Sequence, residues 1–193
     1  FRTGRPPLVY KHFIAYENKY VNLSGYRHLG GNMLYPIGIQ NFEKIRKDGY
    51  VYVDKTDLVY KMAKTGGYYF LSRPRRFGKS LLISTLEAYF SGKKELFEGL
   101  KIADLENDWI QHPVLRFDMS GKEYKNVADL SEILYQHLKN MENLYGISPR
   151  FDSPESRFKD VIDAAYEKTG RRVVILIGEY DRPIVDNLGN DEL

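Results

Sequence analysis

Val173-Val174-Ile175-Leu176-Ile177 is the longest purely apolar run in the chain. It is far too short to cross a membrane. No polar residue alternates through it, so Arg172 to Ile177 reads as a strand buried on both faces of a parallel sheet. Parallel strands need long crossovers, usually helical, and the upstream sequence supplies them. Ser153-Pro154-Glu155 is a helix start, with serine at the cap, proline in the first turn and an acid at the positive end of the dipole. Phe158, Val161, Ile162 and Ala165 follow at i, i+3, i+4 and i+7, and Gly170 ends the helix. Leu130, Ile133, Leu134, Leu138 and Met141 mark a longer helix capped by Asn126, and Pro113 to Phe117 reads as a strand before it. Earlier still, Lys79 to Phe90 reads as a helix with Leu82, Leu86 and Tyr89 on one face, stopped by Ser91-Gly92. Tyr68-Tyr69-Phe70-Leu71 reads as a buried strand, and Tyr50 to Val53 as a short strand after the Asp48-Gly49 turn. Between them, Leu58, Val59 and Met62 give a helix capped by Asp54 or Thr56 and ended by Gly66-Gly67. Strands alternating with helices define an α/β fold with a largely parallel sheet.

Length and composition agree. At 193 residues the chain is one domain, with room for a tail, and long enough to bury a sizeable core. A hydrophobic share of 42% with 28% charged residues excludes disorder and collagen. The absence of Cys excludes disulfide scaffolds, cysteine zinc sites and thiol chemistry. A net charge of +3 does not by itself indicate a nucleic-acid partner. Residues 1–32 hold no apolar signal-like stretch and read as a weakly structured N-terminal extension; the denser pattern opens at Met33-Leu34-Tyr35-Pro36. The chain stops soon after its most hydrophobic strand, where an α/β domain rarely ends, so a fragment is expected.

The chemistry lies where two strands end. At Gly78-Lys79-Ser80 a strand runs through a basic loop into a helix. A phosphate-binding loop needs N–H groups converging at a helix N-terminus, a Lys for the β/γ oxygens and a hydroxyl for Mg2+. The second place is Gly178-Glu179-Tyr180-Asp181, directly after the apolar strand. There a phosphate-handling enzyme keeps one acid for the metal and often a second for the attacking water. The four His have no metal-ligand spacing, and His137 lies within a helix. Asp118 and Ser120, at the strand end where α/β ligands bind, read as turn residues with nucleotide contact as the alternative, Trp109 as a packing anchor, and Lys93-Lys94-Glu95 as a solvated helix end.

Ser72-Arg73-Pro74-Arg75-Arg76-Phe77-Gly78-Lys79-Ser80-Leu81 resembles the divergent Walker A of the prokaryotic AAA-ATPase-like family. Tyr35-Pro36-Ile37-Gly38-Ile39-Gln40 with Phe42, and Tyr52-Val53-Asp54-Lys55-Thr56, are similar to further motifs of that family. Gly178-Glu179-Tyr180-Asp181-Arg182-Pro183 resembles its Walker B, which reads Asp-Glu-Tyr-Asp then basic-Pro. The resemblance spans residues 33–193, with the motifs in the right order. It implies a P-loop NTPase three-layer sandwich, here one domain over 33–193 that is truncated after Walker B and incomplete at the C-terminus. It also implies a cytoplasmic nucleoside-triphosphate hydrolase with ATP and Mg2+ as ligands and no membrane association. Longer relatives often continue into a PD-(D/E)XK nuclease-like domain, through which nucleic acid is an implied partner. In this class a further strand, following Walker B in sequence, lies between the Walker A and Walker B strands. Its slot is expected to be empty or filled differently here, and the chain to be poorly stable alone.

Residue roles follow from the same resemblance. Lys79 neutralises the β/γ-phosphates and serves catalysis, and Glu179 orients the attacking water. Gly78, Phe77, Lys79 and Ser80 cradle the phosphates, with Arg73, Arg76 and Leu81 completing the nucleotide contacts. Ser80 and Asp181 face the metal. Arg73 in place of the first Gly of the common pattern is normal for the family. Gly178 stands where the Walker B Asp belongs, so hydrolysis is expected to be impaired. A second reading stays open: a non-enzymatic module whose Arg73, Arg75 and Arg76 meet nucleic acid or a protein.

Overall fold

The computed structural model describes residues 34–74, 76–150 and 152–187. The extension expected over residues 1–32 and Arg75 of the basic loop lie outside them. In chain order the elements are α1 (Phe42–Lys47), α2 (Thr56–Thr65), α3 (Lys79–Phe90), a 3-10 helix (Lys94–Phe97), α4 (Lys101–Leu105), β1 (Val114–Asp118), α5 (Val127–Tyr145), α6 (Pro154–Thr169), β2 (Val174–Gly178) and α7 (Arg182–Asp186). The fold is mixed α/β, with a parallel pair of strands at its centre.

The caps of α5 and α6 form as the residue types dictate, while the N-cap position of α2 is Lys55, which makes no side-chain cap bond. Asn126 and Asp129 make a reciprocal capping box at the start of α5, and Ser153 accepts from the Ser156 N–H at the start of α6. Asp54 serves two helices. One carboxylate oxygen accepts from the Thr56 N–H and hydroxyl, and the other accepts from the Lys101 N–H at the start of α4. The Thr56 hydroxyl oxygen in turn accepts from the Ile102 N–H, so the starts of α2 and α4 are tied together.

α5 and α6 form the crossover between the strands. β1 and β2 run parallel with Val114 opposite Val174 and Asp118 opposite Gly178. Side-chain alternation sends their residues into two cores. Val114, Val174 and Leu176 join α1 to α4 around Phe42, Leu86, Phe97 and Ile102. Leu115 and Phe117 join α5 and α6 around Ile133, Leu138 and Val161. Each such fully buried side chain contributes about 1.5–3 kcal/mol of transfer free energy.

Three sequence expectations are corrected. Tyr50 to Val53 is not a strand; it makes one isolated bridge, Leu34 to Tyr50, with the Val51 N–H donating to the Leu34 carbonyl. Tyr68 to Leu71 is not a strand either, and Tyr68 and Phe70 are 101% and 71% exposed. A strand is defined by its ladder, and no neighbour among the described residues offers this run one. Finally, β2 is buried on one face only. Leu176 is buried in the α1–α4 core, but Ile175 and Ile177, on the opposite face, are 42% and 47% exposed. Three short helices, α1, α4 and α7, have no counterpart in the sequence reading, since five or six residues are too few to set up a 3.6-residue stripe.

Candidate functional site

Four of the residues singled out from sequence meet at one place. Lys79 and Ser80 open α3, and Glu179 and Asp181 sit on the turn that leaves β2. The Lys79 ammonium donates to Asp181 Oδ2 at 2.9 Å, and the Ser80 hydroxyl donates to Glu179 Oε1 at 2.7 Å. These pairs join positions 102 and 99 residues apart in the chain.

The backbone explains how each half is presented. Gly78 adopts φ 79°, a left-handed conformation that favours glycine, and no side chain caps the first turn of α3. The first N–H groups and the positive dipole end of a 12-residue helix are therefore turned toward the loop. Arg76, two residues earlier, is also left-handed at φ 67°. Across the site Glu179 has φ 53°. A non-glycine residue held there costs about 1–3 kcal/mol, which surrounding contacts must offset. Here the Ser80 hydroxyl, the α7 helix that begins at Arg182 and the Arg182 N–H bond to the Glu179 carbonyl hold the turn.

Tyr180, between the two acids, points to the other side. Its hydroxyl donates to the Leu71 carbonyl at 2.9 Å, and its ring meets Phe70 with centroids 5.0 Å apart. The Lys79 ammonium lies 5.8 Å from the same ring. The sequence reading assigns Tyr180 no role. No local signal marks this role, because the Leu71 carbonyl it binds lies 109 residues away in the chain. Electrostatics follow the contacts: the Asp181 hydrogen bond holds Lys79 above the ordinary lysine range, and burial pushes the Tyr180 phenol up.

The remaining predicted site residues are more dispersed. Arg76 and Phe77 are exposed, Arg73 is half-buried in the loop, and Leu81 packs against the α1–α4 core. Gly178 closes the last rung of the β1–β2 ladder opposite Asp118 and adds no side chain to the site. A Cβ built there would meet nothing closer than the Phe117 carbonyl at 3.9 Å. Asp118 serves a turn, accepting from the Ser120 N–H, and His137 sits on the Asp118 backbone. Trp109 packs on Tyr89 and Phe97. An open cavity of about 560 Å3 lies at the other ends of the strands, lined by Asp108, His112, Pro113, Tyr145 and Arg171, and contains none of the predicted site residues. Among the described residues no group of three or more His, Asp or Glu could hold a metal by itself, and no helix is long and apolar enough to cross a membrane.

A family model described as "Predicted AAA-ATPase", the AAA-ATPase-like family, matches residues 36–193. Among curated proteins, the "Uncharacterized protein in vnfD 5'region" of Azotobacter chroococcum mcd 1 is 44% identical over 160 residues, which is 82% of this chain and 31% of that protein. The chain thus spans less than a third of that relative's length. No solved structure matches it.

Proposed function

Since the chain belongs to the AAA-ATPase-like family, we propose that it binds ATP through the loop and helix start at Gly78-Lys79-Ser80. The observation that carries this reading is the uncapped N-terminus of α3, entered through left-handed Gly78, with Lys79 on its first turn. Backbone N–H groups and the dipole favour phosphate at such a helix start. Lys79 takes the β/γ-phosphate charge, replacing Asp181 as its counter-ion. Gly78, with the amides of Phe77, Lys79 and Ser80, follows the phosphate oxygens, and Arg73 and Arg76 add positive charge at the rim. Residues 33–193 are read as one P-loop unit of the three-layer sandwich class.

The donors present fit a magnesium ion. Ser80 Oγ and the Glu179 and Asp181 carboxylates are hard oxygen donors, and magnesium is commonly held by one or two carboxylates plus the substrate's own phosphates. When bound, the ion would neutralise charge on the β/γ oxygens. The protein's part is positioning: Lys79 fixes the phosphate tail, Ser80 anchors its metal side, and the β2 turn closes the site. Gly178 supplies no acid, so turnover is slow relative to binding.

Lys79→Ala is the test. It is expected to weaken ATP affinity by at least about 100-fold in equilibrium binding, roughly the loss of one charge-assisted contact in a closed site. Unchanged affinity overturns the reading. The second reading, a module that meets nucleic acid or protein through its basic loop, draws on the exposed Tyr68, Phe70 and Phe77 beside Arg76. It predicts salt-dependent DNA binding that ignores both ATP and Lys79→Ala.

A further inference from the structure

We propose that Glu179, not Asp181, is the carboxylate that serves the magnesium side of the site, taking over the place that Gly178 leaves without a side chain. This rests on the ATP-binding reading above. In phosphate-loop enzymes the hydroxyl after the lysine works with an acid at the end of the neighbouring strand to hold the ion. In this chain the strand's last residue is Gly178, whose register opposite Asp118 fixes it on the final rung. The next residue does what an acid at 178 would do: Glu179 Oε1 accepts from the Ser80 hydroxyl at 2.7 Å.

Two features let it reach. Its left-handed backbone, φ 53°, breaks from the strand direction immediately after Gly178, and glutamate carries one methylene more than aspartate. The neighbouring side chains face other partners, Tyr180 the Leu71 carbonyl and Asp181 the Lys79 ammonium rather than Ser80. The three consecutive residues after Gly178 therefore divide three tasks: hydroxyl, loop carbonyl, ammonium. With Glu179 drawn to Ser80, one carboxylate serves where the family's motif keeps an Asp-Glu pair, so the missing acid is felt at the water-activating position while the magnesium side keeps its carboxylate.

The experiment is equilibrium binding of ATP to the purified protein, in MgCl2 and separately in EDTA. Magnesium is expected to raise wild-type affinity about tenfold over the EDTA value, and Glu179→Gln to remove most of that gain, read as the ratio of the MgCl2 to the EDTA affinity of the same variant, since loss of a group supporting a metal costs about 10–100-fold in metal affinity. Asp181→Asn is expected to keep the gain. Adding Gly178→Asp to Glu179→Gln is expected to restore it, and the space at Gly178 accommodates the new Cβ. Glu179→Asp, which shortens the reach while keeping the charge, repeats the Gln result if the Gln variant unfolds. A full magnesium gain in Glu179→Gln, or its loss in Asp181→Asn alone, overturns the assignment and leaves ATP binding standing. No uptake of ATP in either condition overturns both.

Discussion

Two runs of apolar residues lead into the site, and only one is a strand. Val174–Gly178 is locked to β1 by a register in which every residue has a partner, and it delivers Glu179 and Asp181 from a fixed rung. Tyr68 to Leu71 leads toward Lys79 and Ser80 but has no ladder, and its aromatic side chains stand in solvent. Its named anchors are side-chain contacts: Tyr69 hydroxyl to the Met62 carbonyl, Tyr180 hydroxyl to the Leu71 carbonyl, and Phe70 against Tyr180. The acidic half of the site thus rests on backbone pairing. The basic half rests on helix α3 and on bonds to its acidic counterpart. Two runs that both read as strands in sequence reach opposite outcomes, because a strand is a property of pairs of segments.

That contrast can be broken by truncation. Leu176 is buried in the α1–α4 core, so Leu176→Ala is expected to lower the unfolding free energy by about 2–5 kcal/mol. Phe70→Ala, at an exposed position, is expected to change it by less than about 0.5 kcal/mol. Denaturant titration of both variants checks the pair, and equal losses would mean that the Tyr68–Leu71 run is as structural as β2.

Acid sharpens the comparison next. Burial alone would raise the Glu106 carboxyl, but the Tyr89 phenol, the Asp108 N–H and Lys64 together hold it below the ordinary carboxylate range. Its folded value being depressed, its contribution is full above the ordinary carboxylate pKa and is lost as pH falls through the lowered value. Glu106 ties α2 to α3, the two helices that flank the Tyr68–Leu71 run. Hydrogen exchange on acidification is therefore expected to quicken in α2 and α3 before it does in the β1–β2 ladder. The most local effect belongs to Tyr180→Phe, which removes one bond to the Leu71 carbonyl. A loss of about 0.5–1.5 kcal/mol is expected, with faster exchange confined to residues 68–74.

Much of the molecule was legible in sequence where the signal is local. The bounds of α3, the Asn126 cap of α5, the serine cap and proline start of α6 and the glycine ends follow from single residues whose conformational preferences need no distant partner. Lys79, Ser80, Glu179 and Asp181 were legible as candidates because each sits at the end of such an element. Their pairing was not, since the two halves lie about a hundred residues apart and nothing local says which acid meets which base.

The sequence by itself determined the longer helices α2, α3, α5 and α6 and the caps of α5 and α6, because those depend on side-chain periodicity and on backbone freedom within a few residues. Only the tertiary structure decided which apolar runs become strands, which face of β2 stays wet, and that Glu179 turns to Ser80 while Asp181 takes Lys79. Those outcomes depend on which neighbours a segment finds, and a segment carries no local record of its neighbours.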